Sequence, residues 1–158
     1  VPKVRTDAQF INYINKTIRA VLNEIAKETT DELMNIVWTD WYMANGPSDY
    51  YHATGQLLDS VVSSKVKKSG SGYKVDIYMD SRKLKPNYLV NTFSEHMGFD
   101  GRPFTSSLIE VIEEGNPSSI YSHEGIEMFK KTSDWLEKEL PRIASVVFAR
   151  YGFAVHIT

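Results

Sequence analysis

The chain has no cysteine, and that absence excludes a disulfide-stapled scaffold, a thiolate zinc site, an iron–sulfur cluster and cysteine nucleophile chemistry together. Long apolar runs are missing as well. Stretches such as Ser145 to Ala149 fall far short of the roughly 20 residues that cross a bilayer, so no membrane partner is expected. Charge of one sign is scarce too: 18 Lys and Arg stand against 20 Asp and Glu, a net charge of −2. A dedicated duplex-DNA binder, whose affinity comes largely from neutralising phosphates, would be basic. There is no Gly-rich phosphate loop, nucleophile elbow, HExxH pair or calcium loop, so the usual enzyme signatures and their cofactors are absent.

What is present suits a folded domain. Hydrophobic residues make up 42% and charged residues 24% of 158 residues, which predicts one domain over 1–158 that buries about 70% of its unfolded surface. A capping box opens the first helix, with Thr6 set to accept from the third amide and Gln9 to reach back. Phe10, Ile11, Ile14, Ile18, Val21, Leu22, Ile25 and Ala26 then recur at spacings of three and four, while Lys16, Arg19, Asn23 and Lys27 face elsewhere. The stripe resumes at Leu33, Ile36, Val37 and Trp41 after a polar patch at Thr29 and Thr30, and Asn45-Gly46-Pro47 stops it. Residues 7–44 are therefore one long helix or a pair bent at Thr29–Thr30. Unbroken, they would measure about 57 Å, against a radius of gyration of about 15 Å for such a domain. Overhang of that kind favours an oligomer, because an exposed apolar stripe asks for a partner.

Further along, Thr54 is placed to cap a short helix that points Leu57 and Leu58 inward. A β-hairpin follows over residues 61–79, with strands 61–66 and 73–79 joined through Lys67 to Gly72. Tyr73, Val75, Ile77 and Met79 share one face, and Lys74, Asp76 and Tyr78 the other. Residues 80–106 hold Pro86, Gly98, Gly101 and Pro103 without a sustained period, an irregular excursion of the kind that often carries function. The C-terminal part, 107–158, begins with a short helix from Leu108 that closes at Gly115. A second helix after Ser122 carries Ile126, Phe129, Trp135, Leu136 and Leu140 inward and is kinked or restarted at Pro141. Ile143, Val146, Val147 and Tyr151 continue its stripe, Gly152 caps it, and Phe153, Val155 and Ile157 alternate like a last strand. The order predicts an α+β fold: a long N-terminal helix, a small antiparallel sheet with a hairpin, a long C-terminal helix and a terminal strand.

Charge distribution says more than net charge. Residues 65–85 carry seven basic groups against two acids, and residues 110–139 carry eight acids against three lysines. Such patches suit a head-to-tail subunit contact that closes a ring, or a basic hairpin lining a nucleic-acid channel, or simple solvated faces. Lys65, Lys67, Lys68 and Lys74 are the candidates for a ring contact or lumen. Glu95, His96, Asp100 and the His123-Glu124 pair are the scattered ligands from which a metal-dependent hydrolase would be built, although no helical i, i+4 pair exists. No resident metal is expected. Trp38, Trp41, Tyr42, Tyr50 and Tyr51 read as packing or subunit contact before a stacking platform.

The stretch from Tyr51 to Ser60 reads Tyr-His-Ala-Thr-Gly-Gln-Leu-Leu-Asp-Ser. It resembles the Tyr-x-x-Thr-Gly-x-Leu-x-x-Ser segment found after a long first helix in tail-completion, or head–tail joining, proteins of long-tailed bacteriophages, with Tyr51, Thr54, Gly55, Leu57 and Ser60 on the matching positions. The similarity in order of elements runs on through the hairpin, the Glu113 to Pro117 helix end and the C-terminal helix. Ala53, where arginine is frequent, and the 80–106 excursion depart from the pattern. The resemblance implies a non-catalytic subunit of the virion, assembled in the host cytoplasm into a ring of six copies at the neck. Its partners would be itself, a head-completion or adaptor protein, and the tail tube or tail-terminator protein, with double-stranded DNA in transient passage. A tail-terminator or minor capsid protein would share these habits.

Overall fold

The computed structural model describes residues 6–44, 55–84, 108–116 and 123–154. The fold is mixed α+β and mostly helical. Its helices are α1 (Asp7–Ile36), α2 (Gln56–Ser60), α3 (Leu108–Glu114) and α4 (Met128–Arg150), and its short strands are β1 (Val61–Ser63), β2 (Lys67–Ser69), β3 (Gly72–Lys74), β4 (Ile77–Met79), β5 (Gly115–Asn116) and β6 (His123–Glu124). The chain groups into two compact units, one from Val1–Glu32, Ser63–Ile77 and Thr132–Thr158, the other from Leu33–Val62 and Tyr78–Lys131.

In the first unit α1 begins as its capping box requires, with the Gln9 amide donating to Thr6 Oγ1 at 3.3 Å. Phe10 and Ile11, at the head of the expected stripe, are exposed; burial starts with Thr17 and Val21. No bend forms at Thr29–Thr30. The Thr30 hydroxyl donates to the Ala26 carbonyl at 2.7 Å, one turn back, so this polar pair stays within helical geometry and Thr29 turns inward. Val21 and Ile25 pack with Ile143 and Val147 of α4, flanked by Trp135, Leu136 and Phe148, and each such side chain contributes roughly 1.5–3 kcal/mol on burial. Pro141 lies inside α4 without ending it.

The end of α4 is closed by its own backbone. Gly152, at φ 77°, donates to the Ala149 carbonyl at 2.9 Å, and the Phe153 amide reaches back to Phe148 at 3.0 Å, a Schellman closure. Phe153 meets the Phe148 ring edge-on and stacks on Tyr13 at 5.5 Å. Phe153 itself packs at the cap, and Val155 and Ile157, on which the expected terminal strand rests, lie outside the described residues.

In the second unit α1 passes directly into a π-helical segment, Val37–Met43. Its i to i+5 winding aligns residues five apart. Val37 and Tyr42 are therefore buried, which moves the expected inward position from Trp41 to Tyr42, while Trp38 and Met43 stand 51% and 65% exposed. Leu57, Met79, Ile112, Ile126 and Met128 are also buried in this unit. The last helix starts at Met128, after β6, rather than just past Ser122. Phe129, Leu140 and Val146, read as inward, are exposed; Met128 and Thr132 take the buried positions instead.

The hairpin is present but interrupted. β1 pairs with β4 and β2 with β3, and between them the Ser64 amide donates to the Asp76 carbonyl at 2.7 Å and the Asp76 amide to Ser64 Oγ at 3.0 Å. The two-residue turn Gly70–Ser71 closes the β2–β3 end. The alternation holds except at Asp76: Tyr73, Val75 and Ile77 are half-buried and Met79 buried, Lys74 and Tyr78 are exposed, and Asp76, expected outside, is half-buried through its bonds to Ser64.

Candidate functional site

Of the resemblance motif, Gly55, Leu57 and Ser60 are described, and Tyr51 and Thr54 lie outside the described residues. The capping position of α2 is held by Gly55 and not by Thr54. Gly55 adopts φ 74°, ψ −5°, the left-handed region, and makes no side-chain cap. Leu57 is buried one turn later. Ser60 is fully buried; its hydroxyl donates to the Leu57 carbonyl at 2.6 Å, and its backbone carbonyl accepts from the Asp80 amide at 2.7 Å. The Lys83 ammonium closes over the same joint by donating to the Asp59 carbonyl at 2.9 Å. The motif thus ends a helix and launches β1. Asp80 anchors the returning chain: its Oδ1 accepts from the Arg82 amide at 3.1 Å and from Arg82 Nε at 2.8 Å. That side-chain bond to Arg82, chiefly, holds the Asp80 carboxyl below its ordinary value of 3.8.

The lysines singled out for a contact or lumen fall together in the first unit. Lys65, Lys67, Lys68 and Lys74 are all exposed on the hairpin. Lys67 is paired across the ladder with Lys74 and Lys68 with Tyr73. Lys74 has an acidic neighbour in Asp76 at 3.3 Å.

Beside the hairpin lies a groove of about 470 Å³ that sequence reasoning missed. α1 supplies its floor with Asn12, Asn15, Lys16, Arg19 and Asn23, and Tyr73 and Tyr151 are its aromatic walls. The Arg19 guanidinium sits 4.9 Å from the centre of the Tyr73 ring, a cation–π contact that ties the hairpin to α1. Tyr151 is fixed through its carbonyl, which accepts from the Tyr13 hydroxyl. Among the described residues no carboxylate lines the groove. The signal in sequence was partial: Lys16, Arg19 and Asn23 were legible as a polar face, but nothing local announced that Tyr73 and Tyr151 would wall it.

The acidic segment is partly engaged in building the fold. The Glu113 carboxylate accepts from the Phe129 amide at 3.1 Å, capping α4, and Lys131 pairs with Asp40 at 2.7 Å. Glu139 and then Glu28 raise the Arg142 guanidinium further above its ordinary value. Of the hydrolase candidates, Glu95, His96 and Asp100 lie outside the described residues, and the backbone of His123 pairs with Asn116 in the β5–β6 ladder. Among the described residues no group of three or more His, Asp or Glu side chains is placed to hold a metal ion, and no helix is long and apolar enough to cross a membrane. No protein-family model, curated protein or solved structure matches the chain.

Proposed function

We propose that this chain is a structural subunit of a tailed-phage virion that forms an oligomeric ring at the neck, joins tail to head and lets the genome pass. The observation that carries the reading is the use made of the motif. Gly55, Leu57 and Ser60 turn a helix into a strand and expose no reactive group, as an architectural motif should. Two further features suit a subunit whose work is contact. Large apolar side chains stand exposed on otherwise amphipathic helices, Phe10, Ile11, Leu140 and Val146 in one unit and Trp38 and Met43 in the other, and such surface is usually covered by a partner. Lys65, Lys67, Lys68 and Lys74 make the hairpin predominantly basic, with Asp76 beside Lys74 the acidic exception, and would meet an acidic neighbour or line the lumen.

Sedimentation and native mass spectrometry of the purified chain, alone and mixed with isolated phage tails, test this reading. A closed ring in solution or on the tail end supports it. A chain that stays monomeric and leaves tails undecorated at all concentrations contradicts it.

A further inference from the structure

The groove of the first unit invites a ligand by its composition. Asn12, Asn15, Lys16, Arg19 and Asn23 recur at spacings of three and four on one face of α1, about 16 Å of helix. No hydrogen bond to another described residue engages the three amides in the structure. Ammonium, guanidinium, carboxamide and phenol are the side chains that contact nucleic-acid phosphates and sugars, and no carboxylate among the described residues lines the groove to repel them. Among the described residues that line it, Ala20 is the one aliphatic group.

The hairpin extends the same character. Lys68 lies opposite Tyr73, on the face of the hairpin that meets the groove, whereas the Lys67–Lys74 pair belongs to the other face. We propose that this groove and its hairpin rim bind the phosphodiester backbone of nucleic acid, without reading its sequence. The inference does not depend on the neck assignment: it concerns one unit and one ligand chemistry.

The test is fluorescence anisotropy of the full chain with fluorescein-labelled DNA, duplex and single-stranded, across a salt series. Lys16→Gln and Asn23→Asp are the informative variants because both leave the Arg19–Tyr73 contact in place; circular dichroism confirms that they fold. Binding is expected at low salt and should fall steeply as salt rises. Lys16→Gln should weaken it several-fold and flatten the slope of log K against log salt by about 1. Asn23→Asp, which brings a carboxylate into the groove, should weaken it as well. Preference for one form of DNA identifies the source of the backbone, and either preference supports the site. The proposal is overturned by absence of binding at low salt, by binding that both folded variants retain in full, or by displacement of DNA by polyglutamate at equal charge, which would mark an acidic-peptide site instead.

Discussion

Lys67 stands directly across the β2–β3 ladder from Lys74, two exposed ammonium groups on opposing strands at the tip of the hairpin. Placing like charges there costs hairpin stability. Lys67→Glu should therefore raise the stability of the isolated chain slightly, by ~0.5 kcal/mol, while impairing ring assembly. Thermal melts and sedimentation of the same sample separate the two effects. A variant that melts lower, or assembles as well as the parent, counts against a functional use of the pair.

Gly55 carries a conformational demand and no steric one. A Cβ built there meets nothing within 4 Å, but φ is +74°. Gly55→Val should cost at least ~1–2 kcal/mol, because a β-branched residue is strained in the left-handed region, and Gly55→Asn should be nearly neutral. Urea unfolding of both variants checks this; equal midpoints would mean that α2 does not need its left-handed cap.

Gly125 is the opposite case. A Cβ there would lie 2.2 Å from the Glu113 carbonyl oxygen and 2.5 Å from the Glu114 carbonyl carbon. Backbone cannot yield as a side chain does, so Gly125→Ala should push apart the strands of chain held by the Ile126 to Ile112 and Glu127 to Glu113 bonds. A loss of ~1–3 kcal/mol is expected, read as a lower melting temperature and faster amide exchange at Ile126 and Glu127.

Two buried threonines of α1 should respond in opposite senses to the same substitution. Thr17 donates to the Tyr13 carbonyl at 2.9 Å, whereas the buried Thr29 hydroxyl has no hydrogen-bond partner among the described residues. Thr29→Val should stabilise by ~1 kcal/mol by removing an unmet polar group, and Thr17→Val should destabilise by about as much. Unfolding midpoints that move together would refute the assignment.

The Asp80–Arg82 pair sets an acid limit on its turn. Only 14% of the Asp80 side chain is exposed, against 83% for Arg82. With its carboxyl held below 3.8 in the folded chain, Asp80 contributes stability that is present above that value and is lost as pH falls through the folded value beneath it. An NMR titration should find Asp80 titrating below the ordinary aspartate range, and Arg82→Gln should bring it back up.

Legibility in the sequence followed the range of the interactions involved. The Thr6–Gln9 cap, the α1 stripe and the Gly152 stop are settled within a few residues of themselves, and pattern alone found them. Thr29 and Thr30 misled because hydroxyls are counted as polar, although a helical threonine can satisfy itself on the carbonyl a turn back, as Thr30 does. An α-helical period points Trp41 inward, whereas the π winding after Ile36 buries Tyr42 instead. Phe153 alternated like a strand residue, but the Schellman closure spends its ring on Phe148 and Tyr13. The groove joins Asn12, Tyr73 and Tyr151, positions far apart in the chain, and no local pattern encodes that meeting.

If the chain is the neck subunit proposed above, deleting its gene from the encoding phage or prophage and imaging the lysate by negative-stain electron microscopy should show filled heads and finished tails lying unjoined, with joining restored by the gene supplied in trans. Normal, infectious particles from the deletion would contradict it.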